Sequence, residues 1–189
     1  MVLERLRAAT TVAHHRLEGA VGLLPEPTRG RYAWFLSRQY GFQRPLEARR
    51  QAFASRHPEL GVFATVPRHR ALLEADLAWL GIDAGRLPWC RSLPVLESEA
   101  RALGALYVVE GSALGARVLS RRIGEALGLN PRRGLAFLAG GGEDVGPRWR
   151  RVVGGLEAYG AAHPEATGEL VAGAEGCFAV LERWFAEGP

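Results

Sequence analysis

The run from Ser92 to Gly128 constrains this chain more than any other. It reads as one long helix, opened by Ser92-Leu-Pro94 and stopped after Leu127 by Gly128, with Gly111 and Gly115 one turn apart in its middle. A glycine inside a helix costs roughly 1 kcal/mol against alanine, because its backbone has more freedom to lose and it packs no side chain. Two of them, one turn apart, call for a packing or functional reason. Close approach of another helix is one such reason. A broad, flat ligand lying against bare backbone is the other.

The rest of the chain also reads as helix. Leu3, Leu6, Ala9, Ala13 and Leu17 form a helical stripe over residues 2–20. Thr28 is placed to cap a second helix running to about Ala54, with Tyr32, Phe35, Leu36, Tyr40 and Leu46 inside it. Pro45 kinks that helix or ends its first part. Further helices are expected from Pro67 to Leu80, from Pro131 to Leu138, from Asp144–Pro147 to about Gly160, and from Pro164 to about Ala186. Gly140-Gly-Gly142 reads as a loop. In the last helix Phe178, Leu181, Trp184 and Phe185 mark the buried face. No alternating strand pattern, repeat or linker interrupts the series. The expectation is an all-α helical bundle forming a single domain over 1–189.

Composition narrows the class. With 48% hydrophobic and 23% charged residues, 189 residues are enough for a sizeable core. No uninterrupted apolar run reaches the ~18 residues of a membrane span, and Met1–Arg7 has no apolar signal core, so a cytoplasmic protein is expected. Cys90 and Cys177 lack disulfide or metal-ligand spacing. The net charge is +4 and every one of the 24 basic residues is arginine. Arginine suits carboxylates and phosphates. These arginines are interleaved with acids along the chain, which argues against nucleic-acid binding and for a solvated basic surface with a local anion site.

The first helix carries the chemistry. His14 borders the apolar stripe, while His15 lies on a more polar face over Glu4, Ala8 and Thr11. Glu18, at i+4, is placed to accept a proton from His14 Nδ1, leaving Nε2 as a metal ligand. Arg7 lies on the same face roughly 10.5 Å along the axis at ~1.5 Å per residue, a distance suited to a carboxylate at the edge of a macrocycle. A histidine-bearing helix facing a glycine-bearing helix makes a slot for heme, with arginines for the propionates.

At these residues the chain resembles a known family. Leu6-Arg-Ala-Ala-Thr-Thr-Val-Ala-His14-His-Arg-Leu-Glu18 resembles the proximal helix of heme oxygenases, and Gly104-Ala-Leu-Tyr-Val-Val-Glu-Gly-Ser-Ala-Leu-Gly115 their distal helix. The Glu-Gly-Ser version is most similar to bacterial enzymes that supply biliverdin to bacteriophytochromes. The likeness extends to Tyr32–Leu46 and Phe178–Phe185. It implies that His14 ligates the iron of heme b, that Glu18 is its hydrogen-bond partner, and that Arg7 holds a propionate. Arg150, within Trp149-Arg-Arg151, is the best match for a further propionate contact. Tyr107 is placed to reach the heme edge, and Gly111, Gly115 and Ala116 to line the oxygen side.

Two positions depart from the family pattern. Ser112 stands where many members have an aspartate understood to hold water, and Ala116 replaces the second glycine of a pair. Serine hydrogen-bonds water but supplies no charge; bonding back to the carbonyl of Val108 is its other option. Ser112 is therefore a candidate catalytic residue whose part is open. Arg117 is expected to face solvent.

The implied reaction is opening of the heme ring by O2 and electrons to biliverdin, carbon monoxide and ferrous iron, with the α meso edge expected. The chain has no nucleotide fingerprint, so electrons would come from another protein, such as a ferredoxin, a flavodoxin or a reductase. Two other readings stand beside this one. One is a non-catalytic heme or bilin carrier on the same fold. The other is a relative acting on another small molecule.

Overall fold

The computed structural model describes residues 1–23, 27–62, 69–140 and 145–187. Its elements are α1 (Val2–Val21), α2 (Arg29–Arg56), α3 (His69–Trp79), α4 (Glu99–Leu127), α5 (Val145–Ala162) and α6 (Thr167–Ala186). Short 3-10 turns lie at Ala84–Arg86 and Pro164–Ala166. The described residues contain no strand, so the fold is all-α. Pro67 and Gly141–Asp144, where two helix starts and part of a loop were expected, lie outside the described residues.

The helices begin where side chains can answer their free N–H groups. Thr28 Oγ1 accepts from Arg31 N at 3.2 Å, the expected cap of α2. Ser98 Oγ does the same for Arg101 N in α4. The helix therefore starts at Glu99 and not at Ser92–Pro94. The preceding chain is tied elsewhere, because Cys90 N donates to Gly41 O at 2.9 Å.

That same bond explains how α2 passes through Pro45 without ending. Proline has no N–H, so the carbonyl four residues earlier, that of Gly41, loses its helical partner. Cys90 supplies the missing donor. A side chain at Gly41 would strike the Pro88 carbonyl, so the glycine is what lets this segment come close.

Residues 131–138 are turns instead of the expected helix. Asn130 Oδ1 accepts from Arg132 N, and Gly134 turns the chain with φ 82°. Asp76, on α3, then takes both Ala136 N and Phe137 N at 2.8 Å. Two strong acceptor bonds from a buried carboxylate replace the local helical ladder.

The core is shared by all six helices of the described residues. It includes Leu6, Tyr32, Leu36, Phe42, Leu73, Leu103, Leu106, Val152, Leu170 and the expected α6 face Phe178, Leu181, Trp184 and Phe185. α4 and α6 make the closest pairing. A Cβ at Gly104 would meet the Leu170 carbonyl, and one at Gly173 the Arg101 carbonyl. Both helices thus present bare backbone at their crossing. α4 holds an 18-residue window of mean hydropathy 1.3, long and apolar enough to cross a membrane by composition alone. Here Ala102–Leu106 and Val108–Glu110 are buried within the protein.

Candidate functional site

A cavity of about 910 Å³ opens among α1, α2, α4 and α6, within the ~300–1,000 Å³ range of ligand pockets. Its first wall is α1. That helix has no side-chain cap of its own. Glu157 from α5 accepts Val2 N at 3.0 Å and Leu3 N at 2.9 Å, and these bonds hold the carboxyl below its ordinary range. The anchored helix presents Arg7, His14, His15 and Glu18 to the cavity.

The His14 side chain is 52% exposed, and its Nδ1 stands 3.5 Å from Glu18 Oε2. That is the expected pairing, but longer than a strong hydrogen bond. The Phe178 ring lies edge-on to His14 at 6.1 Å. Ligand atoms of His14, His15 and Glu18 all lie within 4.8 Å of one another. His15 lines the cavity as well, although its helix face read as the more polar one.

The second wall is α4, contributing Tyr107, Gly111, Ser112, Gly115 and Ala116. Its two glycines differ. A Cβ at Gly111 would sit 3.3 Å from the Trp149 ring, so this glycine admits an indole from α5. A Cβ at Gly115 would meet nothing within 4 Å. Only the second leaves open space over bare backbone. Tyr107 packs at 5.8 Å against the same Trp149 ring. Ser112 Oγ donates to Val109 O at 2.7 Å, not to Val108. Its hydroxyl hydrogen is engaged with its own helix.

Arg150 is exposed and does not line the cavity. The helical turn of α5 puts Arg148 and Trp149 there instead. Arg148 is buried, with Nε 3.1 Å from Glu110 Oε2. Glu110, 2% exposed, also faces Arg50 Nη2 at 3.4 Å. One carboxylate thus joins α2, α4 and α5 behind the cavity. Arg117 is exposed and off the lining, as expected.

The inner end of the cavity was not foreseen. Phe42, Gln43, His69, Phe137 and Arg148 line it. Gln43 and His69 are 4% and 6% exposed, and neither Gln43 Oε1 nor His69 Nδ1 has a hydrogen-bond partner. Burial, with the charges of Arg50 and Arg148, pulls the His69 pKa down to about 3. The imidazole is therefore neutral at ordinary pH. A clue was present in Val108-Val-Glu-Gly111: a lone acid in a buried apolar run needs a basic partner.

The chemistry of this set is coherent. An open, largely apolar slot carries an exposed imidazole with a carboxylate beside it, a cation at its rim, and bare backbone at Gly115. That suits a flat, apolar, metal-bearing ligand with acidic substituents.

Comparison with known proteins agrees. The heme oxygenase family profile matches residues 1–187. The chain is 37% identical over 144 residues to heme oxygenase PigA of Pseudomonas aeruginosa, covering 72% of this chain and 67% of that protein. Its structure is similar to that of the heme oxygenase of Neisseria meningitidis, solved with NO and CO bound. The TM-score is 0.73 at 28% identity, covering 98% of this chain and 92% of the other. A slot with these residues, in a chain matched almost end to end, belongs to the heme oxygenase family, whose members degrade heme with O2.

Proposed function

We propose that the cavity between α1 and α4 is the slot for heme b and that His14 would hold its iron. The single observation that carries this reading is the cavity itself: about 910 Å³, with His14 on one wall and open space over Gly115 on another. Bound heme supplies the redox chemistry with O2, and the ring is opened to biliverdin, carbon monoxide and ferrous iron. The protein's own residues bind, orient and shield.

Glu18 orients the His14 ring through Nδ1, which directs Nε2 into the slot. Arg7 at the rim takes a propionate as a charge-assisted pair. Tyr107, fixed against Trp149, defines the edge of the slot on α4. Gly111 lets the indole seat, and Gly115 keeps a small space free on the oxygen side. Phe35, Phe42 and Phe178 exclude bulk water from the reacting face. With Arg7 at the propionate end we assign the α meso edge to cleavage.

The basic surface, +4 overall, fits an acidic electron donor such as a ferredoxin, a flavodoxin or an acidic reductase. A bacteriophytochrome that takes up biliverdin is the proposed user of the product. Cys90 and Cys177 are free and buried, consistent with a cytoplasmic enzyme of one domain. Family membership favours cleavage over a carrier role. Hemin titrated into purified protein should produce a Soret band that saturates at one equivalent. Free-hemin absorption at every ratio would reject the slot.

A further inference from the structure

A second group of ligand-type side chains gathers at the N-terminal end of α4, away from the cavity. Glu99 precedes Gly111 by twelve positions, roughly 18 Å along the helix at ~1.5 Å per residue. None of the group lines the cavity. His57 caps the C-terminus of α2. Leu60 N donates to the His57 carbonyl at 3.1 Å, a turn that brings Glu59 back beside the ring. Glu99 is the first residue of α4, just after its Ser98 cap.

His57 Nδ1 stands 3.1 Å from Glu59 Oε1 and 3.2 Å from Glu99 Oε1, and the three ligand atoms lie within 4.8 Å of one another. The partly exposed imidazole stacks on the buried Phe53 ring at 4.3 Å, which fixes its plane. Glu99 also accepts from the Tyr159 hydroxyl, whose pKa is raised by burial first and then by this carboxylate.

Charge sets this group apart. Glu110, Glu169, Glu182 and Glu187 each face an arginine. Among the described residues neither Glu59 nor Glu99 does. Two carboxylates meet over one imidazole instead. Even a protonated ring would cancel only one of their charges, so the group is left net negative, and like charges this close repel. A dication removes the excess.

We propose that His57, Glu59 and Glu99 form a site for a divalent first-row transition ion, separate from the heme slot. One imidazole nitrogen with two carboxylates suits Zn2+ or Fe2+, whereas Mg2+ and Ca2+ favour oxygen alone. Ligands ~2.0–2.2 Å from such an ion lie ~3.0 Å apart at octahedral corners and ~3.4 Å apart at tetrahedral ones. The two separations from Nδ1 fall between these. The Glu59 side chain is 58% exposed, so water completes the shell and the ion exchanges with solvent. Tyr159 orients Glu99 as an outer partner. Binding is ligation alone, and any proton on Nδ1 leaves to solvent. The ion has two sources of one chemistry: a resident ion from solution, or the ferrous iron that ring opening releases.

The test titrates Zn2+, and Fe2+ without air, into chelator-treated protein by calorimetry. His14→Ala/His15→Ala is the background, because His14, His15 and Glu18 form another such trio. Either ion should saturate at about one equivalent. Adding His57→Ala or Glu99→Gln should weaken binding ~100-fold or more, and Tyr159→Phe ~10-fold. Metal-free melting of each should stay within a few degrees of the background. Wild-type crystals soaked in Zn2+ should show the ion ~2.0–2.2 Å from Nδ1 and both carboxylates. Metal present as purified identifies a resident ion; iron present only after heme turnover identifies the reaction product. Affinity unchanged by His57→Ala and Glu99→Gln would overturn the proposal. So would equal binding of Mg2+, or soaked crystals in which His57 only hydrogen-bonds the two carboxylates.

Discussion

On the α1 side of the cavity Arg7, His14, His15 and Glu18 stand exposed, and His14 Nδ1 is 3.5 Å from its carboxylate. At the inner end Gln43, His69 and Arg148 are buried, and Glu110 spans two guanidinium groups behind them. The two regions line one slot but solve different problems. The outer groups must meet a ligand arriving from solvent, so they gain little from one another beforehand; exposed ion pairs are worth only ~0–1 kcal/mol. The inner groups cannot be left alone in a low-dielectric place, so the fold must hold them in fixed relation. Changes on α1 should therefore alter ligand binding and turnover with little effect on folding. Changes around Glu110 should alter folding first.

His14→Ala is expected to have the largest effect. Turnover should fall ~100-fold or more, with the Soret band shifted and the melting temperature within a few degrees of wild type. Turnover near wild type would break the assignment of α1 as the ligating wall. Glu110→Ala should do the reverse. It leaves Arg50 and Arg148 without the carboxylate that both face, and the cost of breaking a buried pair is ~3–5 kcal/mol. At ~2–4 °C per kcal/mol for a chain of this size, melting should drop by about 10 °C. A melting point unchanged in Glu110→Ala would remove the distinction between the two regions.

Acid sharpens the contrast. His69 has a folded pKa of about 3 against an ordinary value of 6.5, so the unfolded chain binds the extra proton between those values. Stability is then greatest above pH 6.5 and is lost as pH falls toward 3, by up to a few kcal/mol. His69→Gln should melt at a temperature less dependent on pH across that window. Equal slopes for the two proteins would mean that His69 is not held neutral. The smallest effect is expected from Ser112→Ala. Its hydroxyl already satisfies Val109 O, so turnover should stay within about twofold of wild type. A collapse in turnover would return Ser112 to the catalytic role considered from sequence.

What could be read from sequence follows the same division. The His14–Glu18 spacing and the Gly111–Gly115 pair are local patterns on single helices, and helical periodicity alone brings each set to one wall. The inner end depends on contacts between residues far apart in the chain: Arg50 with Glu110 across 60 positions, and Arg148 with Glu110 across 38. Periodicity does not encode such pairings. The match over Trp149-Arg-Arg151 fixes a stretch and not helical phase, so it did not point to Arg148, the arginine that lines the cavity. The start of α4 moved from Ser92 to Ser98 because Cys90 N–H completes α2 at Pro45. The turns at 131–138 rest on Asp76, from a different helix. Both glycines were read as one feature, yet Gly111 faces Trp149 and Gly115 faces open space.

A single-turnover experiment tests the central claim most directly. Protein loaded with one equivalent of hemin is given ascorbate or a ferredoxin–reductase pair in air, and biliverdin and carbon monoxide are quantified. Loss of the Soret band with about one equivalent each of biliverdin and carbon monoxide is the predicted result. A Soret band that persists under reductant and oxygen, with neither product formed, would contradict it.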